Sequence, residues 1–154
     1  MRKFLAFFIC FGLSLSFCIG ESDYRERLSQ LVNYTTELED FLKSNIVDFS
    51  RYDAWYNQFK SNGDLFRKEF IQGYKKKESF QLVTKALDGF SLAWGLLNQA
   101  NYADVQYRES LTLEAVSDVH KWKSQANEKR KQASETIAQA IDYLKRAKEV
   151  EQEE

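Results

Sequence analysis

The chain has 154 residues, a formal net charge of −1, six glycines and no proline. That length suits one domain, and a near-neutral surface of mixed sign argues against general nucleic-acid binding. A sheet built of hairpins needs a residue tolerant of positive φ about every ten positions, which argues against sandwiches and barrels as well.

Residues 1–20 read as an export signal. Arg2 and Lys3 give a positive start, Phe4 to Ile19 carry no charge, and Cys18 and Gly20 are small residues at the positions a signal peptidase reads. The apolar run of 16 residues is short of the roughly 20 that cross a bilayer. Cleavage after Gly20 leaves 134 residues, 21–154, as a single helical domain. It removes Arg2 and Lys3 while every acid stays, so the net charge moves from −1 to −3. Cys10 and Cys18 leave too, so packing must hold the fold without disulfides, and the size suffices for that. A second reading keeps Cys18. Leu15-Ser16-Phe17-Cys18 resembles a lipobox, although Phe17 and Ile19 depart from the usual small neighbours. A lipid on Cys18 would tether the domain to a membrane, and no other membrane contact is expected.

The first helix is predicted over 22–45, with Ser22 as N-cap and Leu28, Leu31, Leu38, Phe41 and Leu42 on one stripe. Asn33-Tyr34-Thr35 within it matches a glycosylation sequon, a short and common pattern. The second helix, 50–74, carries Tyr52, Trp55, Tyr56, Phe59, Phe66 and Phe70; near 62, where Asn62 and Gly63 invite a turn, it either breaks or runs on. Its rings are either core or the lining of a ligand groove; Trp55, Tyr56 and Phe66 are the candidates for contact. A third helix follows over 78–99, and Asn98 and Asn101 are expected to turn the chain.

The last segment, 103–151, has no residue that forces a stop, and its apolar positions recur as a weak heptad rich in alanine. One helix of that length would reach about 72 Å, twice its neighbours, leaving Ile137 and Leu144 on an overhang. Such side chains need cover, worth roughly 1.5–3 kcal/mol each. The cover is either a fold-back around Lys123–Gln132 or a partner, most simply a second copy of the chain. Trp122, between Lys121 and Lys123, is expected to be half-exposed and available for contact.

Catalytic signals are lacking. His120 is the single histidine, too few for the paired Glu-x-x-His units of a di-metal bundle. Neither a nucleophile elbow nor a phosphate loop occurs, so no catalytic residue, metal ligand or cofactor is assigned. Acid pairs such as Glu149 with Glu151 read as solvated helix surface, and the lysines around Trp122 read as salt-bridge lacing with Glu128 and Glu135. The expectation is an all-α bundle of three to five helices with a long coiled-coil-like C-terminal helix. It would act outside the cytoplasm, periplasmic or extracellular, by protein–protein interaction or scaffolding. A Cys18-lipidated lipoprotein and a small-ligand carrier are the alternatives.

Overall fold

Leucines and aromatics returning every third or fourth place, with no proline between them, leave the backbone no cheaper way to satisfy its amides than helix. The computed structural model describes residues 20–43, 48–113 and 116–153, and every element in it is helical. Residues 1–19, with Cys18, lie outside the described residues, as do 44–47, where the first predicted helix was to end.

Helix α1 (Glu21–Tyr34) begins one residue before the expected cap: Gly20 is the N-cap, and its N–H donates to the Asp23 carboxylate at 3.2 Å. The single helix predicted over 22–45 is two: Thr35 separates α1 from α2 (Thr36–Lys43). The Thr35 hydroxyl and amide both reach back to the Val32 carbonyl, at 2.7 and 3.0 Å, so the buried threonine ends one helix and directs the next. Asp48 caps α3 (Phe49–Tyr74) by accepting from the Ser50 amide at 3.1 Å.

Of the two readings near 62, the continuous helix is the one the structure has. Asn62 turns its amide back to the Gln58 carbonyl at 3.0 Å, and α3 runs straight through Gly63. Gly63 is there for proximity: a Cβ at that position would lie 2.4 Å from Leu87 Cδ2 on the next helix. Its signal is close approach, not a turn.

A second correction concerns the end of the chain. Helix α4 (Glu78–Thr112) continues through Asn98 and Asn101, both exposed, and α5 (Val116–Glu153) follows. An asparagine that faces solvent costs a helix only a few tenths of a kcal/mol. Meanwhile Ala86, Ala93 and Ala100 keep a seven-residue spacing across the predicted turn and stay buried. On α5 the matching spacing is Ala126, Ala133, Ala140 and Ala147, flanked by Ile137 and Leu144, all buried. The two helices form an antiparallel hairpin along this shared seam. Ser79 meets Glu151 at one end, Gly89 faces Ala140 in the middle, and Asp104 pairs with Arg130 further up. A Cβ on Gly89 would stand 3.1 Å from that of Ala140. Small knobs let the backbones come this close.

The other helices complete an up-down-up-down bundle: α1 and α2 pack on α5, α1 on α3, and α3 on α4. Aromatics fill the interior. Phe90 takes the rings of Trp55 and Phe59 at 5.2 and 4.9 Å, edge-on, and Tyr24 lies between Phe66 and Phe70 at 5.2 and 5.1 Å. The start of α3 reaches α4 at the level of Trp94, whose indole N–H donates to Asp53 at 2.7 Å. Asp48, Phe49 and Ser50 still lie beside Leu97, Ala100, Asn101 and Asp104; from Asp104 to Thr112, α4 extends about 12 Å further, paired with α5 to form an arm.

Candidate functional site

Two places in the fold hold more chemistry than packing demands. The first is a polar cluster at the base, where the start of α1, the start of α4 and the end of α5 meet. The second is the arm at the opposite end.

At the base, Glu151 is 1 % exposed. Seven-residue spacing explains its position: it follows Leu144 on the stripe that buries Ile137. Read beside Glu149 it looked like solvated surface, and this is corrected; the heptad register carried the signal. Ser79 Oγ donates to Glu151 Oε2 at 2.7 Å, while Lys77 Nζ and Arg25 Nε approach Oε1 at 3.1 and 3.5 Å. With its proton committed to the carboxylate, Ser79 accepts from the Tyr24 hydroxyl at 3.0 Å. Lys77 also lies over the rings of Tyr24 and Tyr74, at 5.9 and 5.5 Å, and these two stack 4.4 Å apart. The carboxylate thus has two cations and a hydroxyl, the condition under which a buried charge is tolerated. Ser79 itself is 1 % exposed, so what the cluster does is clamp three helix ends together.

Burial foremost, with the negative charge of Glu151 adding to it, pushes the Tyr24 hydroxyl well above the ordinary tyrosine range. Tyr52, which donates to the Phe90 carbonyl at 2.9 Å, is raised further, by burial and then by neighbouring Tyr56. In both, the folded chain keeps a proton that the unfolded chain releases near pH 10. Stability is therefore complete below that pH and falls as pH rises above it. At pH 11 Tyr52 alone removes about 1.4 kcal/mol, and Tyr24 adds to the loss. Urea midpoints at pH 8 and 11 check this. Tyr52→Phe should fall less between the two than the parent, and an equal fall in both would refute the assignment.

Of the residues picked out for contact, Trp55, Tyr56, Phe66, Ile137 and Leu144 are buried. The Trp55 indole N–H is taken by the Tyr34 carbonyl at 2.9 Å. The rings pack the interior instead of lining a groove. A shallow cleft beside them, between Leu38, Phe41, Tyr52 and Trp55, measures about 220 Å³, below the roughly 300 Å³ at which ligand pockets begin. Ile137 and Leu144 are covered by the bundle itself, because the overhanging part of α5 is its beginning and not its end.

Trp122 remains at the surface, half-buried, on the arm. Its ring meets that of Tyr102 on α4 edge-on at 6.2 Å, and Lys121 Nζ lies 4.7 Å from its centroid. Between the two helices at this level opens a groove of about 620 Å³ lined by Gln99, Tyr102, Trp122, Gln125 and Lys129. Spacing did not single out Tyr102, which is 60 % exposed, nor Leu92, Leu111 and Leu113, which are 59, 51 and 77 % exposed. Exposed large apolar side chains are unremarkable singly, but here most belong to one hairpin. His120 is exposed on the same arm. Among the described residues no group of acids, histidine or cysteine is placed to hold a metal ion, and no helix is long and apolar enough to cross a membrane. No family model, curated protein or solved structure matches the chain.

Proposed function

We propose that the chain is an exported, non-enzymatic interaction module that meets its protein partner through the α4–α5 arm. One observation carries the reading: the arm outruns the rest of the bundle and holds Val105, Leu111 and Leu113 in solvent, with Tyr102 at its root. A rod pair that served only the core would stop level with the start of α3. Aromatic and aliphatic side chains concentrated on a projecting element are the composition of contact surfaces.

The test is a photo-activated crosslinking residue at Val105 or Leu111, compared with one at Gln72 near the base, each in the full chain in its native host. The arm positions should give a discrete protein adduct and Gln72 none. Adducts that do not differ between arm and base, or none from the arm, would sink the reading. Export rests on residues 1–20, and the mass of the mature chain decides its form. Starting at Glu21 it is free; starting at a lipid-bearing Cys18 it is the tethered lipoprotein; an intact Met1 removes the export part.

A further inference from the structure

We infer that Gly20 belongs to the folded domain and stays on the mature chain, so that the export peptidase cuts upstream of it and not between Gly20 and Glu21. This rests on the export part of the reading above, and it moves the cut that the small residues Cys18 and Gly20 led one to expect.

Gly20 serves α1 through its backbone. Its carbonyl accepts from the Asp23 and Tyr24 amides at 3.0 and 3.2 Å, and its own N–H donates to the Asp23 carboxylate at 3.2 Å. Its φ of −70° and ψ of 159° are those of an N-cap. The first amides of a helix have no acceptor within the helix, so this residue supplies what the opening turn of α1 lacks.

A cut after Gly20 would remove all of these bonds. The ammonium left on Glu21 could replace the Gly20 N–H toward Asp23, but nothing replaces the carbonyl. Tyr24 is in no position to seek another acceptor. It is 0 % exposed, its hydroxyl is bonded to Ser79 at 3.0 Å, and its ring stacks on Tyr74 at 4.4 Å. The ammonium would also stand at the positive end of the α1 dipole, where a cation is disfavoured, and close to Lys77 and Arg25, which already share the Glu21 carboxylate. Arg25 reaches Glu151 from the next turn of α1, so fraying at this point would loosen the clamp on the three helix ends.

The sequence offers a cut that spares the cap. Ser16 and Cys18 are small residues at −3 and −1 for cleavage after Cys18, just as Cys18 and Gly20 are for cleavage after Gly20. Side-chain size alone does not separate the two frames. Only the upstream one leaves Ile19-Gly20-Glu21 on the domain, with the Gly20 N–H still a peptide amide. The lipobox cut, before Cys18, spares it equally.

The intact mass of the chain isolated from its native host tests this. It should begin at Ile19 or at a lipid-bearing Cys18. A start at Glu21 overturns the inference and leaves export standing, whereas an intact Met1 takes both down. Gly20→Gln separates the frames a second way. A bulky residue at −1 stops a cut after Gly20, while a cut before or after Cys18 should proceed as in the parent, so accumulation of the precursor in this variant counts against us. Urea unfolding checks the cap itself. The chain starting at Ile19 should have an unfolding equilibrium constant about fivefold smaller than the chain starting at Glu21, an effect typical of a lost N-cap. Equal constants would remove Gly20 from the folded domain and overturn the inference.

Discussion

Replacing Glu151 with alanine is expected to destabilise the protein by about 3 kcal/mol, whereas Glu149→Ala, two residues earlier, should change it by less than about 0.5 kcal/mol. Glu149 is exposed and forms no ion pair among the described residues, so its loss falls within the ordinary surface range. Glu151 is enclosed, and removing it leaves the buried Ser79 without its acceptor and takes from Lys77 and Arg25 the buried one of their two anions, Glu21 at the surface being the other. Breaking a buried ion pair from one side typically costs 3–5 kcal/mol. The lower end applies here, because Lys77 and Arg25 keep 27 and 47 % of their side-chain surface in water and can turn outward. Urea unfolding of the two variants side by side makes the comparison. A loss below about 1 kcal/mol for Glu151→Ala would mean the cluster is not holding the helix ends.

The double variant Ile137→Ser, Leu144→Ser is expected to unfold the whole domain, not to release one helix from an intact remainder. Both side chains are fully enclosed between α4 and the other helices. Each change removes a large aliphatic group, leaves a cavity and buries a hydroxyl, about 4 kcal/mol apiece. Together they approach the full stability of an ordinary domain, about 5–15 kcal/mol. Far-UV circular dichroism of the variant should show most of the helix signal gone. Helix retained in an amount matching residues 21–112 would contradict this and return α5 to the role of an independent arm.

That second expectation reverses what periodicity alone implied, and the reason is instructive. Helix class was legible because the stripes of Leu28, Leu31 and Leu38, or of Ala133, Ala140 and Ala147, report which face is dry, and local spacing suffices for that. Where one helix hands over to the next was not legible between 98 and 116. Asn98 and Asn101 look like punctuation in one dimension, but they sit outward on α4 while Ala93 and Ala100 hold the seam inward. Helix α4 in fact ends at Thr112, and no glycine or proline lies near there to announce it. Gly63 misled in the complementary way, its absent side chain serving Leu87 and not a bend.

The candidate sites divide similarly. Trp122 could be picked out because an indole flanked by lysines has no local reason to be buried. Tyr102 could not, since its significance lies in the ring it meets across the hairpin. Glu151 could have been found by extending the Ile137–Leu144 register one more step. Its partners Ser79, Lys77 and Arg25 come from the start of α4, its N-cap and α1, and no pattern along the chain joins them.

The seam of alanines in the hairpin has a mechanical consequence. Each methyl-on-methyl layer hides little oily surface from water, so the distal stretch gains far less per turn than the ring-filled base does. Amide hydrogens near Val105 and Gln125 will accordingly trade with solvent sooner than those near Phe90 and Leu144, as the tip unzips and reseals while the root stays shut. The molecule is graded from stiff to yielding along its length, and whatever grips the tip grips the part most able to adjust.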